Sequence, residues 1–95
     1  NPGMFGDVDS LLGQAKSLGL QGAVVCTPPG IRTQIVSKCL EAGVAVLSEK
    51  PLANSALEAQ AILDVSAKYS GVVSATAYCH RFAPAILEMK KQVEA

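Results

Sequence analysis

The feature that most constrains this chain is a spacing. Three short apolar runs, "GAVVC" (22–26), "VAVLS" (44–48) and "GVVSATAY" (71–78), are each one helix length apart. Between the first two, apolar residues at 31, 35, 36, 39 and 40 follow a helical period over Ile31 to Ala42, and Gly43 closes it. Between the second and third, Ser55 and Glu58 form a capping box that opens a helix reaching about Tyr69. Two strands joined by one helix must run parallel, because a tight hairpin is not available to them. The chain therefore reads as α/β with a parallel sheet.

Two further helices flank this core. Apolar positions 8, 11, 12, 15 and 18 predict a helix over Asp7 to Leu18, stopped by Gly19. After "RFAP", a last amphipathic helix is expected from Ala85 to Val93, with Glu88, Lys90, Lys91 and Glu94 outside. A phosphate-cradling GxGxxG is absent: Gly19 and Gly22 make only a GxxG that precedes a strand instead of following one. Three parallel strands are thin for a stand-alone sheet, and the last helix has little to pack on. The fold expected is thus the C-terminal part of a Rossmann-like parallel sheet, three βα-type units over residues 1–80. Residues 81–95 would open a following α/β domain.

Composition narrows the function. Eight basic and eight acidic side chains cancel, so nothing favours nucleic acid or an anionic membrane as a partner. The apolar runs are about five residues long, against the roughly 20 needed to span a bilayer. The start, "NPGMFGDVDS", has neither the basic end nor the apolar core of a signal peptide, and its lack of an initiator Met suggests a chain begun inside something longer. Cys26, Cys39 and Cys79 form no CxxC pair, which fits a reducing, cytoplasmic setting. With His80 as the one histidine, no metal site is expected.

In an open parallel sheet, ligands sit outside the carboxyl ends of the strands. The three strand exits, "TPPG", "SEKPLA" and "YCHRF", should therefore share one edge, and they hold most of the unusual polar chemistry. In "SEKP", Pro51 forces Lys50 out of helical geometry, and the Lys50–Pro51 bond can be cis at modest cost. Lys50 could donate to a hydroxyl or carbonyl oxygen and stabilise charge developing there, with Glu49 anchoring its ammonium or binding the ligand. The same four residues also make an ordinary solvated turn. In "TPPG", the Thr27 hydroxyl and nearby amides could meet a phosphate or ribose, or could simply start a helix. Arg32 is either a phosphate partner or an exposed residue of the first helical turn. Tyr78, His80 and Arg81 stand at the third exit, His80 as an acid–base group or as a solvated side chain.

Taken together, "AVVCTPPGIRTQIVSKCLEAGVAVLSEKPLANSALEAQAIL" and "VVSATAYCHRFAPA" resemble the Gfo/Idh/MocA oxidoreductases, over roughly residues 7 to 95. The stretch "AGVAVLSEKPLA" is the most specific part. The resemblance implies a Rossmann domain followed by an α/β domain, NAD or NADP as cofactor, and a sugar, inositol or similar alcohol as substrate. The family's Glu-Lys-Pro motif falls on Glu49, Lys50 and Pro51. By resemblance Lys50 is catalytic, holding the reacting hydroxyl near the nicotinamide, and Glu49 lies beside the cofactor. Thr27 and Pro28 match the loop against the inner ribose, and Arg81 with Phe82 matches the pair where the chain leaves the Rossmann domain. Arg32 departs from the pattern, since many members have a histidine there.

The resemblance also implies a fragment, because the dinucleotide fingerprint lies upstream in the family and the acid–base histidine of many members lies downstream. Three functions follow as expectations. The first is a segment of an NAD(P)-dependent oxidoreductase, inactive by itself and part of a possible homo-oligomer. The second is a non-catalytic dinucleotide-binding sensor, and the third is a stand-alone flavodoxin-like binding module.

Overall fold

A computed structural model describes residues 3–95. The element order is α1 (Val8–Gly13), α2 (Ala15–Leu18), β1 (Gly22–Val25), α3 (Pro29–Glu41), β2 (Ala45–Ser48), α4 (Ala56–Lys68), β3 (Ser74–Thr76), a 3-10 helix (Cys79–Phe82) and α5 (Pro84–Glu94). The three strands form one parallel sheet in the order β1-β2-β3. The expected α/β architecture and the parallel pairing are therefore present.

Local chemistry explains the boundaries. Pro29 occupies the first turn of α3, where a missing N–H costs nothing. At the other end Gly43 takes a φ of 74°, a left-handed conformation that glycine adopts freely. The Gly43 N–H then donates to Leu40 at 3.0 Å and the Val44 N–H to Cys39 at 2.9 Å, a paired closure that satisfies the last carbonyls of the helix. Ser55 accepts the Glu58 N–H at 3.2 Å, and the Glu58 carboxylate accepts the Asn54 N–H at 2.9 Å. The capping box thus forms, with its return bond one residue earlier than the standard pattern.

Two expectations need correction. The helix predicted over residues 7–18 is broken at Gln14 into α1 and α2. Gly13 ends α1, and the Gln14 N–H turns back to Leu11, because a glycine gives a helix interior little support. The third strand is shorter than 71–78. The Val72 N–H is used in a turn to Tyr69, so the ladder begins only where the Val46 N–H reaches the Val73 carbonyl at 2.9 Å.

The core lies on the face covered by α3 and α4. Val25, Val36, Cys39, Leu40, Val44, Val46 and Ile62 are buried there, and Leu40 is wholly inaccessible. Burying one such aliphatic side chain contributes about 1.5–3 kcal/mol. The opposite face is apolar too: Val24 pairs with Leu47 in register, and they are 68% and 44% exposed. A parallel sheet normally has both faces covered.

Candidate functional site

The strand exits are stitched to one another, residue by residue. The Glu49 N–H donates to Val25, the last residue of β1, at 2.9 Å, and the Ala77 N–H donates to Ser48, the last of β2, at 2.8 Å. The second and third exit loops therefore each leave from a peptide fixed by the preceding strand. Two side chains extend the stitching. The Leu52 N–H donates to the Tyr78 phenol at 3.4 Å, tying the second loop to the third. Arg32 donates from its two terminal nitrogens to the carbonyls of Thr27 and Pro51, tying the first loop to the second.

This arrangement corrects the expectation for Arg32. It is neither an exposed first-turn residue nor positioned as a free phosphate partner; it is buried, with 2% of its surface accessible. The reason is that the second loop folds back over the start of α3 and places the Pro51 carbonyl within reach of the guanidinium. The Lys50–Pro51 bond is cis.

Glu49, Lys50, Ala77, Tyr78, Cys79, His80 and Arg81 line one cleft of about 300 Å³. The second and third exits thus meet around a common space, and three basic side chains, Lys50, His80 and Arg81, stand at its wall. Glu49 does not anchor the Lys50 ammonium, as the sequence suggested it could. Its carboxylate accepts the Lys50 backbone N–H at 2.8 Å instead. The ion pairs among the described residues are Lys38–Asp9, Lys90–Glu94 and Lys91–Glu88, so the Lys50 ammonium stands without an acidic partner. Arg81 lies over the Phe82 ring at 5.6 Å, a cation–π contact at the chain's exit from the sheet.

Thr27, Pro28 and Pro51 are not among the residues of this cleft. Thr27 begins the loop after β1, and its hydroxyl is turned inward, buried and without a hydrogen-bond partner among the described residues. Nor does that hydroxyl cap α3, whose N-cap position is Pro28 with no side-chain cap. A ligand at this loop would meet backbone and not the Thr27 hydroxyl. Among the described residues no group of His, Cys, Asp or Glu is placed to hold a metal ion, and no helix is long and apolar enough to cross a membrane.

Comparison with known proteins gives a consistent answer. Residues 3–77 match the Gfo/Idh/MocA model, described as an oxidoreductase family with an NAD-binding Rossmann fold. The chain is 32% identical over 89 residues to inositol 2-dehydrogenase 1 of Saccharopolyspora erythraea, covering 94% of this chain and 26% of that protein. It is 29% identical over 77 residues to the scyllo-inositol 2-dehydrogenase (NAD(+)) of Bacillus subtilis, covering 81% and 22%. Among solved structures, the scyllo-inositol dehydrogenase of Lactobacillus casei with bound NAD(H) and scyllo-inositol superposes with a TM-score of 0.83 at 23% identity, over 95% of this chain and 26% of that one. That likeness is one of fold. The chain spans about a quarter of the length of the curated relatives it matches.

Proposed function

The chain belongs to the Gfo/Idh/MocA oxidoreductases, a family with an NAD-binding Rossmann fold, and we propose that it forms the later part of the cofactor-binding domain of an NAD(P)-dependent dehydrogenase acting on inositol or a similar polyol. The observation that carries this reading is the cleft between the second and third strand exits, with the Lys50 ammonium in its wall and no carboxylate among the described residues paired to it. An unpaired ammonium at the carboxyl edge of a parallel sheet is available to a ligand oxygen.

The residues present fit a dinucleotide in part. The exits of β1 and β2 offer backbone at the sheet edge, and the cleft offers cations that suit oxygen-rich groups. By this reading Thr27 and Pro28 hold the cofactor through backbone and packing, while Glu49 and Pro51 shape the corner beside it. Arg81 stands where the chain turns toward its next domain. Lys50 donates a hydrogen bond to the alcohol oxygen and favours the negative charge that grows as the hydroxyl proton passes to a base in the rest of the full-length protein. The nicotinamide, when bound, supplies the redox chemistry.

Two further observations support a place inside a longer protein. One face of the parallel sheet is apolar and open at Val24, Leu47 and Val73, whereas such sheets are stable when both faces are covered. Helix α5 packs mainly on the 3-10 helix and presents Ile86, Leu87, Met89 and Val93 to solvent. Residues 81–95 are accordingly read as the start of a second domain.

The test is turnover by the full-length enzyme, followed as reduction of NAD+ or NADP+ with myo-inositol and scyllo-inositol. Lys50→Ala should lower kcat by at least about 100-fold, the scale of losing one transition-state donor, while NADH still binds. Near-normal turnover in that variant would remove Lys50 from the chemistry. Binding of NADH without oxidation of any polyol would favour a dinucleotide sensor.

A further inference from the structure

Arg32 is a buried cation that no carboxylate answers among the described residues. Its terminal nitrogens donate to two carbonyls, and its Nε is buried without a partner among the described residues. It also sits in the first turn of α3, where the aligned peptide N–H groups disfavour positive charge. Burying a charge under these conditions is costly, and an apolar side chain of similar length would fill the space at less cost. Packing alone therefore does not account for an arginine.

What the guanidinium does, and an apolar chain cannot, is hold two acceptors at a fixed separation from one planar fork. One acceptor is the carbonyl of Thr27, at the exit of β1; the other is the carbonyl of Pro51, the residue after Lys50. The Lys50 corner is held on its other side by the Glu49 N–H bond to Val25. We propose that Arg32 is a positioning residue: it braces the Lys50–Pro51 corner against the first exit loop and so sets where the Lys50 ammonium stands in the cleft. This rests on the role given to Lys50 above.

A double-mutant cycle in the full-length enzyme tests it, with NAD+ and scyllo-inositol as substrates. Arg32→Met should lower kcat about 30-fold, the effect of losing hydrogen bonds to a charged donor. Arg32→Lys, whose ammonium keeps three donors, should recover to within about fivefold of the parent. In a Lys50→Ala background, Arg32→Met should cost less than about threefold more, because it acts through a side chain already gone. Equal losses in both backgrounds would overturn the proposal and leave only a structural brace.

A second readout needs no turnover. Reductive methylation with isotope-labelled formaldehyde gives each lysine an NMR signal, and the Lys50 signal is the one lost in Lys50→Arg. It should shift in Arg32→Met and return toward its parent position in Arg32→Lys. Arg32→Gln, a gentler change, should move it in the same direction by less. An unmoved Lys50 signal in these variants would overturn the proposal. If the parent enzyme oxidises no polyol, the functional reading fails while the Lys50 signal still decides the role of Arg32.

Discussion

The Glu49 carboxylate accepts the backbone N–H of Lys50 at 2.8 Å, so the acid of this pair secures its neighbour's peptide and leaves its neighbour's ammonium without an ion pair among the described residues. An acid–lysine pair in sequence suggests mutual neutralisation. Here the chain bends so that the carboxylate completes the corner from within.

That relationship makes a prediction for Glu49. Glu49→Gln keeps an acceptor oxygen at the same reach, so turnover of the full-length enzyme should stay within about threefold of the parent. Glu49→Ala removes the acceptor and should cost about two- to tenfold in kcat, the scale of one net hydrogen bond. Steady-state kinetics of both variants decide the matter. Equal losses would show that the negative charge, and not the bond to Lys50, is what the site uses.

The alternation of strand and helix was legible because each element carries its own signal: β-branched runs for β1 and β2, helical spacing for α3, a capping box for α4. Gly43 marked the end of α3 for an equally local reason, its left-handed backbone. The break at Gln14 was hidden because the apolar stripe continues across it. The candidate site's layout was half legible. Parallel topology alone gathers the loops at one edge, and it placed Glu49, Lys50 and Arg81 around one cleft. It could not show that Arg32 turns inward, since the Pro51 carbonyl it meets is nineteen residues away in the chain. The inward Thr27 hydroxyl likewise has no signature in sequence.

The cysteines should differ in reactivity by position. Cys39 lies in α3 with 3% of its surface accessible, and burial pushes its thiol above the ordinary value of 9.0. A raised value means less thiolate at any given pH, and the thiolate is the nucleophile. Cys26 and Cys79 are exposed. A timed iodoacetamide pulse at neutral pH, read by peptide mass spectrometry, should label Cys26 and Cys79 first. Cys39 should lag by at least about 100-fold, since it reacts only when the packing around it opens. Labelling of all three at one rate would show that α3 is not held on the sheet.

The start of α1 should be sensitive to acid through one residue. Asp7 is the N-cap: its carboxylate accepts the Ser10 N–H at 2.7 Å and the Ser10 hydroxyl at 3.0 Å. The backbone bond first, and the hydroxyl bond second, hold its carboxyl below the ordinary value of 3.8, with a smaller pull from Lys38. Because folding depresses this value, the stabilisation is complete above 3.8 and is lost as the pH falls through the lower, folded value. The first turn of α1 should thus hold at neutral pH and loosen as the pH falls below the ordinary value of 3.8. The Ser10 amide resonance, followed by NMR down the acid range, reports this directly. Asp7→Asn supplies an uncharged cap of similar strength, so its Ser10 amide should not titrate. Asp7→Ala removes the cap, and its Ser10 amide should exchange rapidly at every pH. A Ser10 titration that persists in Asp7→Asn would assign the acid sensitivity to another carboxylate, of which Asp9, paired to Lys38 at 2.8 Å, is the nearest in sequence.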